Sequence, residues 1–598
     1  MESLINRLKK LLGDKPVILS YLLIFILGYL IVAPVLSLLG SAFTVSARDF
    51  ARGIGDSVGE FTTHYITRTF VGPLRHRFFY TPLLNTLAVV FPVSIISGVI
   101  GSILAWLVAR TNIWGKRILT TLAIIPYILP SWTYALSWIT VFRNRRLGGS
   151  SGILEFFGVT VPDWLAYGGV PLVIVMAINY FPFSFLLVGG ALRDVDARLE
   201  ESAEVLGART SVILRRILFS LVLPAILSAW VLTMASGVGA FGAPAFLGGP
   251  VNFHVLATRL YSAFRSGDNG VAYMLSIVMI LLAVSFVYIN HRFIGTRRSY
   301  VTVSGKGTKK KITDLGKWRL PATITSFVFL LSVTFLPLSL LALDTLMARS
   351  GVFTLDNLTL HYWIGQPDPA IDAGEPGVLR NPMVGSAFMN TLTLGLTVAV
   401  LCGLFGFLIG YTVVRVRKTK PWLSTTIDQV SFLPYLVPSI GFGAMYLTLF
   451  AVRRGPIPSL YGTFTLLVLI TVVKNLPFAT RAGISGMLQL GHEIEEAGMI
   501  AGAGWLTRMR RLILPLQKGS IVSGATLPLV TGMRELALLI MLITPGTNLL
   551  TTLTFSYADG ALISHSNALL LINVFTILVF TLLIRKLSGT DISQGLRG

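Results

Sequence analysis

Residues 200–217 read EESAEVLGARTSVILRRI, and residues 495–515 read EEAGMIAGAGWLTRMRRLILP. The two segments share one pattern: a Glu-Glu pair, a Gly seven residues after the first Glu, and an Arg-Arg pair that leads into an apolar stretch. The second copy begins 295 residues after the first, in a chain of 598 residues. This spacing predicts that the chain consists of two related halves.

The second Glu of each pair and the Gly define a candidate site, whose residues are Glu201 and Gly207 in the first copy and Glu496 and Gly502 in the second. The residues between them are mostly good helix formers and include no Pro. A Gly can adopt the left-handed backbone conformation that ends a helix. Each copy is therefore predicted to be a short helix that ends at its Gly, after which the chain turns back toward an apolar span.

The composition is that of a membrane protein. The chain is 54% hydrophobic and 13% charged, and its mean hydropathy is +0.75. Apolar stretches long enough to cross a hydrocarbon core of about 30 Å recur along the whole chain. The predicted spans are 17–43, 83–109, 117–142, 170–191, 217–239, 272–290, 320–343, 385–414, 422–451, 459–475, 513–543 and 566–584. The predicted fold class is an all-α polytopic membrane protein with about twelve transmembrane helices.

The first predicted span could instead be a cleaved signal peptide, because basic residues precede it and Val45-Ser46-Ala47 follows it. Its apolar region is longer than the roughly 7–15 residues of a signal peptide. We therefore interpret it as a retained helix.

The formal net charge of +23 comes from Lys and Arg residues in short loops, a distribution that favours a membrane protein over a nucleic-acid-binding one. Nine of them lie in 291–319, which is predicted to be a cytoplasmic linker; a contact of this stretch with anionic lipid is the alternative. By the positive-inside rule both termini are also cytoplasmic. Five arginines fall on the predicted external side and are exceptions to the rule: Arg143, Arg145, Arg146, Arg453 and Arg454.

The two halves match beyond the Glu motif. The matched pairs are Asn85-Thr86-Leu87 with Asn390-Thr391-Leu392, Gly98, Gly101 and Arg110 with Gly403, Gly406 and Arg415, Pro126-Tyr127-x-x-Pro130 with Pro434-Tyr435-x-x-Pro438, and Pro182-Phe183 with Pro477-Phe478. We therefore predict a first half at 1–290, the linker at 291–319 and a second half at 320–598, with the Glu motifs near 193–216 and 488–511. Six spans per half is an even number, so the halves are predicted to be parallel repeats.

The sequence carries no catalytic or nucleotide-binding pattern. It contains no G-x-x-x-x-G-K-[ST] motif and no evident triad or carboxylate pair, and its His residues are scattered singly. The single Cys402 excludes an intramolecular disulfide. We predict that the chain is not an enzyme and holds neither a metal nor a cofactor of its own.

The repeated Glu–Gly pattern resembles the E-A-A-x3-G-x9-I-x-L-P loop of ABC importer permeases. The resemblance implies that Glu201 and Glu496 face a groove in a cytoplasmic ABC ATPase dimer, and that this partner binds ATP and Mg. It also implies a periplasmic or extracellular substrate-binding protein as a second partner, and a bacterial inner (cell) membrane as the location. The chain departs from the pattern at Ser202 and Gly498, and Phe219-Ser220 stands where the family has Leu-Pro.

Two further stretches resemble ferric-iron-type permeases. They are Met533-Arg534-Glu535-Leu536, followed by LITPGT at 542–547, and the Gly-rich segment GAFGAPAFLGGP at 239–250. The resemblance implies ferric iron as the solute. Importers for phosphonate, sugar phosphate, thiamine or polyamine belong to the same broad family and remain alternatives.

Arg534 and Glu535 interrupt an otherwise apolar predicted span, and their counterparts in the first half are Gly239 and Ala240. Charges within a membrane are costly and typically mark a transport pathway. We therefore predict that the pair lines the translocation pathway; a structural salt bridge between helices is the alternative. In an ion-coupled secondary transporter, a distant alternative, the pair would form a relay.

The two Pro-Tyr-x-x-Pro motifs predict paired kinks. Their tyrosines, Tyr127 and Tyr435, are candidates for the translocation pathway. Kinks that serve packing alone are the alternative.

Overall fold

The computed structural model describes residues 14–295, 312–453 and 458–588, and these residues form an all-α membrane protein. Most of the predicted basic linker (296–311) and the outermost residues of both predicted cytoplasmic termini (1–13 and 589–598) lie outside the described residues. Within the described ranges, nine helices are long and apolar enough to cross a membrane, or up to eleven if two sharply bent helix pairs each count as one span. The predicted count of twelve is not confirmed.

The principal helices are numbered here in chain order. They are α1 Lys15–Ala42, α2 Thr81–Arg110, α3 Lys116–Ile128, α4 Ser131–Phe142, α5 Gly169–Asp194, α6 Ala197–Val205, α7 Phe219–Val238, α8 Gly242–Gly248, α9 Leu256–Arg265, α10 Asn269–Gly295, α11 Arg319–Asp344, α12 Pro382–Val416, α13 Pro421–Leu436, α14 Ser439–Phe450, α15 Phe464–Gln489, α16 Glu493–Ile500, α17 Lys518–Arg534, α18 Leu550–Asp559 and α19 Ile563–Ser588.

The chain folds into two compact units whose boundaries do not follow the two halves of the sequence. One unit contains Met1–Thr63, Ser386–Thr552 and Phe575–Gly598, and the other contains His64–Gly385 and Leu553–Val574. We call them the C-unit and the N-unit, after the copy of the Glu motif that each contains. The first long helix of each half, α1 or α11, therefore belongs to the unit that contains the Glu motif of the other half.

In the N-unit, α11 from the second half packs on helices of the first half. Leu330 and Val333 of α11 are buried in one apolar cluster with Leu119 of α3 and Phe181 of α5. The amide of Trp114 also donates to the hydroxyl of Thr323 at 3.4 Å. These contacts make α11 an integral part of the N-unit core.

In the C-unit, α1 packs on helices of the second half. The hydroxyl of Tyr446 in α14 donates to the Leu30 carbonyl of α1 at 2.7 Å. The ring of Tyr29 lies 6.3 Å from that of Phe450, nearly edge to face. Helix α1 therefore packs as part of the C-unit.

The predicted kinks are present at both Pro-Tyr-x-x-Pro motifs. Helices α3 and α4 meet at an angle of 89° in the N-unit, and α13 and α14 meet at 108° in the C-unit. Pro130 and Pro438 each precede the first residue of the outgoing helix. Proline has no amide hydrogen and restricts the residue before it, so each motif ends one helix and begins the next.

The predicted span 513–543 is wrong in its boundaries. Helix α17 begins at Lys518 and ends at Arg534, and Glu535 has an extended backbone with φ −73° and ψ 125°. The Glu535 carboxylate accepts from the Leu538 amide at 3.2 Å, and the Glu535 carbonyl accepts from the Thr551 hydroxyl at 3.0 Å. Apolar composition continues past Arg534, but these hydrogen bonds give the backbone a non-helical course.

Matched glycines allow the same close helix crossing in each unit. A Cβ atom on Gly101 of α2 would lie 2.5 Å from the Phe181 carbonyl oxygen of α5, and one on Gly406 of α12 would lie 2.5 Å from the Ala479 carbonyl carbon of α15. Such distances leave no room for a side chain. These glycines therefore set how closely the long helices approach one another.

We expect Gly406→Ala to lower the free energy of unfolding by about 1–3 kcal/mol, because the new methyl group would overlap backbone atoms of α15. Gly385 lies in the same helix and has open space around it, so Gly385→Ala is a matched control. The control should be neutral or slightly stabilising, by up to about 1 kcal/mol, because alanine favours helix. Thermal unfolding of the two variants in detergent measures the difference, and equal stabilities would contradict the steric explanation.

Candidate functional site

Each Glu motif forms a short helix between two long ones, as predicted. Helix α6 follows α5 in the N-unit, and the side chain of Asp196 caps it by accepting from the Arg198 amide at 3.1 Å. Helix α16 follows α15 in the C-unit and begins after His492, which makes no side-chain cap. We call α6 and α16 the motif helices.

The glycine of each motif ends its helix in the left-handed conformation. Gly207 has φ +80° and Gly502 has φ +76°. The Ala208 amide donates to the Ala203 carbonyl at 2.9 Å, and the Ala503 amide donates to the Gly498 carbonyl at the same distance. This is the hydrogen-bond pattern of a Schellman cap, in which glycine avoids the steric cost that a Cβ atom would incur.

The first Glu of each pair is buried and paired with an arginine at the end of a long helix. In the N-unit, Glu200 and Arg110 are both almost fully buried, and Arg110 Nη1 lies 3.2 Å from Glu200 Oε1. The contact is ionic rather than an aligned hydrogen bond. Arg110 also donates to the Val195 carbonyl at 2.8 Å, immediately before α6. The arginine thus holds both the motif helix and the segment that leads into it.

The C-unit repeats this arrangement. Arg415 donates through Nε to Glu495 and through Nη1 to the Leu490 carbonyl at 3.3 Å. The Tyr411 hydroxyl donates to Glu495 at 3.3 Å and accepts from the Trp505 indole at 3.1 Å. Glu495 therefore has two side-chain partners on α12, and the motif helix is fastened to the membrane core at this point.

Sequence reasoning missed these four anchoring residues, Glu200, Arg110, Glu495 and Arg415. The matching arginines and the two glutamates of each motif are visible in the sequence, but a role was predicted only for the second Glu. A signal was present, because both an acidic and a basic residue recur at matched positions. Their pairing across 90 residues of N-unit sequence and 80 of C-unit sequence was not readable from spacing alone.

The second Glu of each pair is exposed. Glu201 and Glu496 lie on the outer surface of the motif helices, next to large apolar side chains. Val205 and Leu206 are 87% and 86% exposed, and Ile500 is 89% exposed. Exposed apolar side chains beside a charged group are typical of a protein-interaction surface. We call Glu201, Val205 and Leu206, with Glu496 and Ile500 in the other copy, the motif surfaces.

The other predicted site residues, Arg534, Glu535, Tyr127 and Tyr435, lie outside the motif helices. Arg534 and Glu535 lie at the end of α17 rather than inside a helix, and both side chains are partly buried. Tyr127 is 8% exposed and packs edge to face on Phe183, with ring centroids 4.8 Å apart. Tyr435 is partly buried, and its ring lies 5.8 Å from that of Phe478. The described residues contain no group of three or more His, Cys, Asp or Glu that could hold a metal ion.

Comparison with known families gives two matches to the same family within this chain. The sequence model of the family described as "Binding-protein-dependent transport system inner membrane component" matches residues 97–298 and 402–588. Each matched region contains one Glu motif and its anchoring ion pair.

Individual relatives extend the similarity over nearly the whole chain. The ferric transport system permease protein FbpB of Actinobacillus pleuropneumoniae is 25% identical over 588 residues, which cover 96% of this chain and 79% of the relative. The putative ferric transport system permease protein FbpB 1 of Haemophilus influenzae is 26% identical and covers 90% of this chain and 80% of its own length. The putative 2-aminoethylphosphonate transport system permease protein PhnV of Salmonella typhi is 26% identical over 46% of this chain and 96% of its own.

Proposed function

Because the chain belongs to the family of binding-protein-dependent transport system inner membrane components, we propose that it is the fused permease of an ABC importer. In this proposal it moves a small solute into a bacterial cell across the inner membrane. A cytoplasmic ATPase dimer supplies the energy, and a periplasmic or extracellular binding protein delivers the solute. Both motif helices and both termini face the cytoplasm.

One observation supports the proposal most strongly: in both copies, an exposed motif surface lies on a short helix that a buried ion pair attaches to a long helix. Glu201 and Glu496 are exposed at matched positions, and each is adjacent in sequence to a glutamate held by a buried arginine. A surface that transmits force must be accessible to a partner and also rigidly attached to the part that moves. Two such surfaces suit an ATPase with two equivalent subunits, one for each copy.

The proposed cycle follows from this attachment. ATP and Mg bind to the partner ATPase, since the chain has no phosphate-binding motif of its own. Closure of the ATPase dimer on ATP moves the motif helices together. The anchoring arginines, at the ends of α2 and α12, carry that movement into the long helices and open the pathway to the binding protein.

We propose ferric iron as the solute, because relatives named as ferric transport permeases align with 90% or more of the chain. Phosphonate is the second candidate, because a relative named for 2-aminoethylphosphonate transport aligns over almost its full length. Sugar phosphate, thiamine and polyamine remain members of the same importer class.

Reconstitution tests the proposed function. The chain, co-expressed with the ATPase and binding protein encoded beside it, is expected to accumulate ⁵⁵Fe(III) in proteoliposomes only when ATP and Mg are present on the ATPase side. A hydrolysis-deficient ATPase is the control and should abolish uptake. Uptake driven by an ion gradient without ATP would refute the proposal in favour of a secondary transporter.

A further inference from the structure

The C-unit has ionisable side chains on helix faces where the N-unit has none at the matched positions. On α15, Lys474 and Arg481 stand where α5 of the N-unit has Asn179 and Leu186. On α13, Asp428 stands where α3 has Thr120. The difference is informative because both copies build the same helix pair, including its kink. The N-unit is therefore an internal control for what this architecture requires.

Lys474 occupies the kink between α13 and α14. Its ammonium group donates to the Pro434 carbonyl at 2.9 Å and also to the Val437 carbonyl. In the N-unit, the neutral amide of Asn179 donates to the corresponding carbonyls, Pro126 at 3.0 Å and Leu129 at 3.3 Å. A neutral side chain thus satisfies the carbonyls of the kink. The positive charge of Lys474 is not needed for that purpose.

Arg481 lies on the same face of α15 as Lys474, two helical turns further on. Its Nη1 atom is 3.2 Å from Asp428 Oδ1, and its guanidinium lies 5.1 Å from the ring centre of Phe432. The side chains of Arg481 and Asp428 are 38% and 34% exposed. Helix α15 and the α13–α14 pair are apolar enough to span a membrane, and within a membrane the exposed part of this ion pair would face either lipid or water.

Burial in lipid is the unfavourable choice. A charged side chain at the centre of a membrane helix costs about 2.5–3.5 kcal/mol on insertion scales, so such residues face the bundle interior or a wet pathway. The matched Leu186 and Thr120 indicate that the helix pair does not need an ion pair here for packing. The ion pair is therefore a feature of this copy and not of the helix architecture that the two copies share.

We propose that Arg481 and Lys474 are two anion-binding stations in the translocation pathway, and that the cargo presents them with oxygen atoms that carry negative charge. The proposal rests on the proposed function and adds the chemical class of the cargo. Asp428 competes with the cargo for Arg481 and so promotes release of the cargo.

The guanidinium of Arg481 favours an oxygen-bearing anion over a cation. Nη1 of Arg481 lies 3.2 Å from Asp428 Oδ1, and the guanidinium carries further N–H groups that can bind a ligand. The planar fork of arginine binds two oxygen atoms of a carboxylate, phosphonate or sulfate at once. The same chemistry would be presented by a free oxyanion or by a ferric ion held in anionic oxygen ligands.

Thiol labelling tests the local charge and the water accessibility of the surface around Arg481, and it does not require a known substrate. Ser485 is exposed and lies one turn beyond Arg481, and its matched N-unit position is Gly190, where a Cβ atom has open space. Ser485→Cys and Gly190→Cys are made separately in a Cys402→Ser background of the whole purified complex. Each is treated with an anionic sulfonatoethyl and a cationic trimethylammonium-ethyl methanethiosulfonate reagent.

At position 485 the anionic reagent should react faster, and Arg481→Leu should reduce the ratio of the two rates by about tenfold, because a nearby unit charge is removed. Position 190 has Leu186 in the place of Arg481, so Arg481→Leu should leave its ratio of rates unchanged, with the neighbouring Arg193 present in both measurements. An unreactive thiol at 485, or a ratio that Arg481→Leu leaves unaltered, would overturn the proposal.

Uptake then identifies the source of the anion. The repeat-swap variant Asp428→Thr/Arg481→Leu carries the N-unit residues, so it should keep wild-type thermal stability. Its uptake should fall about tenfold or more, the effect of losing one charge-assisted contact. Protection of the thiol at 485 by sulfate alone indicates a free oxyanion, and protection by ferric citrate alone indicates an anionic iron complex.

Different results would refute the ABC permease function and the anion-binding stations. Wild-type uptake by the repeat-swap variant would overturn the anion stations and leave the ABC permease intact. Absence of ATP-dependent uptake in the unaltered complex would count against the proposed function, whereas the labelling at position 485 would still report whether Arg481 faces water.

Discussion

Replacing Arg415 by methionine is expected to lower the free energy of unfolding by about 3–5 kcal/mol, the usual cost of removing one partner from a buried ion pair. The side chain of Arg415 is 5% exposed and that of Glu495 is 11% exposed, so the remaining carboxylate could not be solvated without moving the motif helix. Chemical or thermal unfolding in detergent measures the loss. Uptake should fall as well, because the motif helix loses its attachment to α12.

Two controls separate the loss of the pair from the loss of a side chain. In Arg415→Met/Glu495→Leu neither charge remains, so most of the lost stability should return. Glu496→Gln removes the exposed neighbouring charge and should leave stability within about 0.5 kcal/mol of the wild type. A double variant as unstable as Arg415→Met alone would contradict our account of the ion pair.

Changing both exposed glutamates, in Glu201→Ala/Glu496→Ala, is expected to abolish transport while the protein still inserts and folds. Removing a hot-spot side chain from a protein interface costs about 2 kcal/mol or more, which corresponds to a roughly 30-fold or greater loss of affinity at each site. Co-purification with the ATPase measures docking, and ATP-dependent uptake measures coupling. Thermal stability should match the wild type because both side chains are exposed.

Val205→Ser tests the apolar part of the same surface. Its side chain is 87% exposed, so the change should not affect folding but should weaken docking. Normal co-purification and normal uptake in the double glutamate variant would exclude the motif surfaces as the ATPase contact. Variants of the two neighbouring glutamates should therefore affect different measurements, because Glu495 should control stability and Glu496 should control docking.

The candidate site could be predicted in part. The motif helices and the left-handed Gly207 and Gly502 follow from residue types at fixed spacing, because helix ends are local structures. The anchoring pairs could not be predicted, because Arg110 and Glu200 are far apart in sequence and only the packing of α2 against α5 brings them together. The sequence offered two glutamates in each motif, and only burial distinguishes the one that anchors from the one that is accessible.

By itself, the sequence determined the all-α membrane class, the duplication, the two motif helices and the two kinks. The membrane class follows from the length of the apolar stretches, and the duplication follows from the repeated pattern. The motif helices and the kinks depend on glycine and proline, which act within a few residues. The tertiary structure decided that α1 and α11 each pack with the other half of the chain, and that α17 ends at Arg534. It also decided that Lys474 and Asn179 bind the carbonyls of matched kinks. Such features depend on which distant groups meet once water is excluded, and local sequence preferences contain no information about that.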